Sequence, residues 1–175
     1  MNLTKKAFLI LLVTHTAFLY AQNFPQIEKL ESKNILFSQY QNDVLESNKQ
    51  AAKGQKVPQI VYAYKASKDD TVFTVSARCS ITYDTLVTLN GIAESGEYLE
   101  GKTILLPVAV GLFIAEKPEN TIEMLLSKEY LETTQSGTLP LYEINGKRFY
   151  FIQGARFSPS SRAFFLDSTM RLPIE

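Results

Sequence analysis

Two strand-like runs stand at the ends of a 46-residue stretch, and they constrain the fold more than any other feature. Residues 61–65 alternate in the manner of a short strand, and residues 102–106 form a second strand that Pro107 closes. Between them the apolar residues recur at helical spacing in two places. The predicted order is strand, helix, helix, strand. Because so small a unit buries only a modest core, we expect both helices to pack on one face of a two-stranded sheet.

Local signals give the ends of the two helices. Asp70 is the predicted cap of the first helix, because its side chain can accept hydrogen bonds from the free amide groups of the first turn. Thr82 is the predicted cap of the second helix. Asn90-Gly91 ends that helix, since glycine tolerates the left-handed backbone found there. The positions predicted to face inward are Val72, Val75, Leu86 and Leu89.

The same stretch carries several separated elements of one family motif. They are Tyr62, then Asp69-Asp70-Thr71-Val72, then Leu86 with Leu89-Asn90-Gly91-Ile92, and the closing run 99–107. In order and spacing these elements resemble a LysM module. The resemblance covers roughly a quarter of the chain, and it implies a module over residues 60–108 that binds N-acetylglucosamine-containing glycan, either peptidoglycan or a chitin-like polymer.

The resemblance also implies a position for the glycan. In the family, the turn after the first strand and the loop after the second helix form a shallow groove, where backbone groups bind the acetamido group. Carried over by position, the groove residues are Lys68, Asp69, Asp70, Thr71, Val72, Gly91, Ile92 and Ala93. Asp69 stands where the family usually has glycine, and its side chain is expected to narrow the groove. Three of these residues have an ordinary structural interpretation as well: Asp70 as a helix cap, and Val72 and Ile92 as core. Asn90, beside the groove, is interpreted as a helix-end hydrogen-bonder.

Residues 1–21 have the pattern of a secretory signal peptide. Lys5 and Lys6 precede an apolar run, and Ala21 is a small residue suited to cleavage. The alternative is a transmembrane anchor, which the shortness of the run and the polar residues 14–16 disfavour. We therefore expect an exported protein of the bacterial periplasm or cell envelope, with no stable membrane anchor after cleavage.

Residues 22–59 are predicted to hold a helical segment and a linker. Apolar residues recur every three to four positions between Ile27 and Val44, which suggests one amphipathic helix. Residues 46–58 have no apolar pattern beyond alanine and are interpreted as the linker. The first folded domain is expected to begin near Ile60.

Residues 111–175 are predicted to form a small β-rich accessory region, which makes the whole chain α+β. A strand is expected at 111–116 and a short helix at 121–131. Asn145-Gly146 between two β-prone runs is a strong hairpin signal. A turn is expected at 158–161, and further strands at 162–166 and 169–172.

Charge and composition exclude some functions. Outside residues 1–21 the chain has 16 basic and 18 acidic residues. Because nucleic-acid binding needs a concentrated basic surface, we expect no nucleic-acid partner. Cys79 is the only cysteine, and we expect it to pack as a small apolar side chain. The sequence suggests no cofactor and no metal.

The last region also resembles the segment that precedes the catalytic domain in LysM-bearing, lysostaphin-type zinc endopeptidases. A zinc site of that type needs three protein ligands and an open position. The only histidine, His15, lies in the signal segment, so we expect no catalysis from this chain.

Three hypotheses follow. The first is a wall-glycan binding protein, with a cell-wall hydrolase as a possible partner. The second is the targeting or regulatory part of a peptidoglycan endopeptidase whose catalytic domain is missing from this chain. The third is a protein-interaction scaffold of the envelope.

Overall fold

The computed structural model describes residues 22–132 and 139–167, so the predicted signal peptide lies outside the described residues. The described part is a mixed α+β fold with five helices and two three-stranded sheets. In chain order the elements are β1 (Gln26–Ile27), α1 (Ile35–Ala52), β2 (Val61–Lys65), α2 (Val72–Cys79), α3 (Tyr83–Asn90), β3 (Thr103–Pro107), β4 (Gly111–Ala115), α4 (Thr121–Leu131), β5 (Leu141–Ile144), β6 (Lys147–Gln153) and α5 (Pro159–Leu166).

The first sheet has the strand order β1-β2-β3. β2 and β3 are antiparallel, with Val61 opposite Pro107 and Lys65 opposite Thr103. The predicted order of strand, helix, helix and strand is confirmed, and the second strand begins one residue later than expected. The expected two-stranded sheet is wrong, because β1 pairs in parallel with the other edge of β2.

The ends of α2 and α3 follow local rules, with one correction. Thr82 caps α3 as predicted, and Gly91 ends it with a φ of 62°. The cap of α2, however, is Thr71 and not Asp70. The Thr71 hydroxyl accepts a hydrogen bond from the Thr74 amide at 3.1 Å, and the Thr74 hydroxyl accepts one from the Thr71 amide at 2.9 Å. The four predicted inward positions are buried: Val72, Val75, Leu86 and Leu89.

Helix α1 corrects the prediction for residues 22–59. It begins after its cap Asn34 and continues to Ala52, so the first half of the predicted linker 46–58 is helical. That half is rich in Glu, Lys, Gln and Ala, which favour helices without adding an apolar pattern. Ile27, expected in the helix, lies in β1 instead.

Two tyrosines attach α1 to the first sheet. Tyr40 is fully buried, and its hydroxyl donates a hydrogen bond to the carbonyl oxygen of Pro107 at 3.2 Å. The ring of Tyr62 meets the ring of Tyr40 edge-on, with centroids 5.3 Å apart. The Tyr62 hydroxyl donates to the Asp43 carboxylate at 2.7 Å. The helix that precedes the predicted module therefore completes its core.

The second sheet has the strand order β4-β6-β5. The predicted strand at 111–116 is observed as β4, and the predicted helix 121–131 is observed as α4. The hairpin between β5 and β6 is confirmed, since Asn145 and Gly146 both have positive φ, 51° and 75°.

The expected strand at 162–166 is wrong. Those residues lie in α5, whose cap is Ser158 and whose first residue is Pro159. The sequence expected to form a turn at 158–161 is a helix start, where serine as cap and proline at the first position are both favoured. The strand expected at 169–172 lies outside the described residues.

Helix α3 joins the two sheets. The Thr85 hydroxyl donates to the carbonyl oxygen of Gly111 at 2.7 Å and accepts from the Gly111 amide at 3.0 Å. The Thr88 hydroxyl accepts from the Phe113 amide at 3.1 Å. Both hydroxyls thus bond backbone groups along the edge of β4, which would otherwise be buried without hydrogen-bond partners. Each of the two hydrophobic clusters combines residues from 60–108 with residues from 111–167, so the core crosses the predicted domain boundary.

We predict that Thr85→Val lowers the free energy of unfolding by about 2 kcal/mol, because it leaves the buried Gly111 amide without a partner. Urea denaturation followed by circular dichroism measures the change. Thr103→Val, at an exposed position of β3, is the matched control and should stay within about 0.5 kcal/mol of the wild type. Equal effects of the two variants would contradict this role of Thr85.

Cys79 makes stability depend on pH. Burial raises the pKa of its thiol to about 12 from an ordinary 9.0. The thiol of the unfolded chain ionises above pH 9 while that of the folded chain stays protonated. The resulting stability is therefore complete below pH 9 and is lost as the pH rises towards 12.

We predict that raising the pH from 8 to 10 lowers the free energy of unfolding of the wild type by about 1.4 kcal/mol more than that of Cys79→Ala. Urea denaturation at both pH values measures the difference. The tyrosines titrate in both proteins, so their effects largely cancel in this comparison. The same decrease in both proteins would show that the thiol does not carry this dependence.

Candidate functional site

The two loops predicted to form the groove leave the same end of the first sheet. Lys65 and Thr103 are the last pair of the β2–β3 ladder. Beyond them, the Ala66 amide donates to the Lys102 carbonyl oxygen and the Gly101 amide donates to the Ala66 carbonyl oxygen, both at 2.9 Å. The loop that leads into α2 and the loop that leaves α3 are therefore tied together at their sheet ends.

Asp70 fixes the first loop from inside. Its side chain is 1% exposed. One carboxylate oxygen accepts from the Tyr64 hydroxyl at 2.6 Å and from the Ser67 amide at 2.7 Å, and the other accepts from Arg78 at 3.0 Å. Burial, followed by the hydrogen bond to Asp70, raises the pKa of Tyr64. Asp70 is thus an internal anchor of the loop and does not offer its carboxylate to a ligand.

The second loop is held from two sides. The Gly91 carbonyl oxygen accepts a hydrogen bond from the Asn120 side chain at 3.1 Å, which brings the start of α4 against this loop. The Ala93 amide donates to the Glu97 carboxylate at 2.9 Å, and Glu97 also pairs with Lys102 at 2.9 Å. Several backbone groups of the predicted groove therefore already have partners within the chain.

The eight predicted site residues divide by burial. Those with exposed side chains are Lys68, Asp69 and Thr71. Gly91 and Ala93 are half-buried. Asp70, Val72 and Ile92 are buried, and the two apolar ones belong to the same hydrophobic cluster. The structural interpretation thus holds for Val72 and Ile92, which leaves the exposed side chains and loop backbone as the surface for a ligand.

Asp69 fits its position without backbone strain. Among the described residues, the non-glycine residues with positive φ are Ser80 and Asn145, so Asp69 adopts an ordinary conformation. An aspartate where the LysM motif usually has glycine therefore adds a charged side chain to the first loop and puts no strain on its backbone.

Tyr98 is an exposed aromatic residue of the second loop that the sequence prediction did not include. Its ring is 65% exposed in the second loop, and its hydroxyl donates to the Glu100 carboxylate. That hydrogen bond is the main cause of a raised pKa of Tyr98, followed by desolvation and by the negative charges of Glu100 and Asp69. An aromatic residue in an otherwise polar loop was the signal that could have identified it, since exposed aromatic faces are common in binding sites.

A polar cavity of about 280 Å³ adjoins the second loop. Gly91 and Asn120 line it on one side, and Asn145 and Lys147 line it on the hairpin side. The Lys147 ammonium group bonds Glu119 at 2.7 Å and Glu123 at 2.9 Å. Burial lowers the pKa of Lys147, but the two carboxylates outweigh it and the pKa is raised. The positive charge of Lys147 is therefore compensated within the chain.

Within residues 22–132 and 139–167 no group of three or more His, Cys, Asp or Glu side chains is placed to hold a metal ion. In the same part of the chain no helix is both long and apolar enough to cross a membrane.

Comparison with protein-family models, with curated proteins and with solved structures finds no match for this chain.

We predict that Asp70→Asn lowers the free energy of unfolding by about 2 kcal/mol, because it weakens charge-assisted hydrogen bonds around a buried group. The neighbouring Asp69→Asn is a matched control, and at its exposed position it should change stability by less than about 0.5 kcal/mol. Thermal and urea unfolding measure both. If the two variants were equally stable, Asp70 would not be the anchor of the loop.

Proposed function

We propose that this chain is an exported bacterial envelope protein that binds N-acetylglucosamine-containing glycan, with peptidoglycan as its main ligand. The binding surface is the groove between the loop at 68–72 and the loop at 91–98. The chain acts by binding and performs no catalysis of its own in this proposal.

The observation that carries the proposal is that both loops adjoin the same end of the β2–β3 ladder. The Ala66–Lys102 and Gly101–Ala66 hydrogen bonds join the sheet ends of the two loops, which supports a groove between them of the kind that the LysM resemblance implies. The ligand surface there consists of the exposed Lys68 and Asp69 and of the ring of Tyr98. One cation and one anion beside an aromatic face suit an uncharged sugar, whose C–H face can pack on the ring.

A single shallow groove gives weak binding, so affinity for a polymer is expected to depend on many neighbouring binding sites or on a partner protein. Retention on purified insoluble peptidoglycan tests the proposal at the level of the polymer. No retention of the folded protein would remove it.

We predict that Tyr98→Ala weakens binding of chitotetraose at least fivefold, equal to about 1 kcal/mol, because the sugar loses its aromatic contact. Isothermal titration calorimetry measures the affinity. Met124→Ala, at an exposed apolar residue of α4 that is 56% accessible, is the control and should bind like the wild type. Unchanged affinity of Tyr98→Ala would place the sugar elsewhere.

Asp69→Gly examines the departure from the family motif. It restores the family's residue and widens the groove, so we predict tighter binding of chitotetraose in the same titration. If the variant binds while the wild type shows no affinity, the groove has lost its function and the scaffold hypothesis gains support. Weaker binding would show that the Asp69 carboxylate contacts the glycan.

A further inference from the structure

A second cavity, of about 320 Å³, lies beside the first binding loop. Its lining residues come from the segment after β1, from β2, from the start of the loop and from the end of α2: Lys29, Leu30, Glu31, Tyr64, Ser67 and Arg78. Ser67 directly precedes Lys68 of the proposed groove. This cavity therefore adjoins the proposed groove along the chain.

Arg78 is held in one orientation at the cavity and keeps free N–H donors for an anionic group. Its guanidinium group bonds the buried Asp70 carboxylate at 3.0 Å, while half of its side chain remains exposed. Arginine has five N–H donors in a fixed plane, and the bond to Asp70 uses one nitrogen of the guanidinium group. Asp70 is itself fixed by Tyr64 and Ser67, so the orientation of Arg78 is set before any ligand arrives.

The other two charged residues of the cavity have opposite signs. Within the described part of the chain, neither Lys29 nor Glu31 forms an ion pair, with each other or with another residue. Both are exposed. A purely anionic ligand would meet repulsion from Glu31, and a purely cationic one repulsion from Lys29. The charge of Arg78 is balanced by Asp70, but its remaining N–H donors are free to bind an anionic group. A ligand that carries one carboxylate and one ammonium group complements the two unpaired charges and these donors.

We propose that this cavity binds the zwitterionic end of a peptidoglycan stem peptide. The carboxylate would lie between Lys29 and Arg78, and the ammonium group of a diamino acid would lie at Glu31. Peptidoglycan carries such peptides on alternate sugars, whereas chitin carries none. The inference rests on the proposed glycan binding for its source of ligand, and it makes stem-bearing peptidoglycan the preferred ligand over chitin.

Isothermal titration calorimetry on the full chain tests this proposal with four ligands. Two are chitotetraose and a peptidoglycan tetrasaccharide whose tripeptide stems end in a diamino acid. The other two are treated forms of that tetrasaccharide: one from which an amidase has removed the stems, and one that keeps its stems but has its free amines acetylated. Lys29→Gln and Glu31→Gln alter the cavity at exposed positions. Lys33→Gln is the matched control, because Lys33 is exposed and does not line the cavity.

We expect the stems to strengthen binding by the wild type about tenfold, which corresponds to one charge-assisted contact at a partly exposed site. Lys29→Gln should lose most of that gain and still bind the stripped tetrasaccharide within about twofold of the wild type. Acetylation of the amines should weaken binding by the wild type and have no effect on Glu31→Gln. Lys33→Gln should behave as the wild type throughout.

Two results would overturn the proposal: stems that add nothing to wild-type affinity, or equal losses in Lys29→Gln and Lys33→Gln. Neither result affects glycan binding, which chitotetraose and the stripped tetrasaccharide report separately. If those two ligands fail to bind, the proposed groove function is refuted, and titration with the free tripeptide tests the cavity proposal by itself. The proposal is supported if the wild type binds the tripeptide and Lys29→Gln binds it more weakly. It is refuted if the wild type does not bind the tripeptide.

Discussion

The buried carboxylate of Asp70 is the interaction on which the rest of the proposed binding surface depends. A charge that is 1% exposed is tolerated only when it is fully paired, and Asp70 receives hydrogen bonds from Tyr64, Ser67 and Arg78. Those partners belong to β2, to the loop and to α2. One group therefore joins a strand, a loop and a helix. It fixes the loop that carries the exposed Lys68 and Asp69, and it holds the guanidinium group of Arg78 beside the neighbouring cavity.

Helix α3 gives the second loop a comparable support. Its threonine hydroxyls bond the edge of β4, and near its end the Asn90 side chain bonds both the amide and the carbonyl oxygen of Leu105, at 2.8 and 2.9 Å. Asn90 is thus the helix-end hydrogen-bonder that the sequence suggested, and it reaches across to β3. At Gly91, a β-carbon would lie 3.1 Å from a carboxylate oxygen of Glu123. The second half of the chain therefore contacts the proposed groove directly.

The sequence was sufficient wherever structure follows from neighbouring residues. Thr82, Gly91 and the Asn145-Gly146 turn satisfy local backbone rules, and the elements around them are observed close to where they were predicted. The choice between Asp70 and Thr71 as helix cap could not be made locally, since both residue types cap well and burial by distant partners decided it. The pairing of β1 with β2 depends on contacts that are distant in sequence, so no local pattern predicts it. The second half of α1 was missed because its residues favour a helix without forming an apolar pattern.

The central claim is that a glycan occupies the groove between the two loops. A titration of the ¹⁵N-labelled protein with chitotetraose, followed by amide chemical shifts, tests it most directly. The account predicts progressive shifts confined to residues 68–72 and 91–98, with the amides of β4 and α5 unchanged. Shifts that cluster instead at Asn145 and Lys147, or an absence of shifts at millimolar glycan, would contradict it.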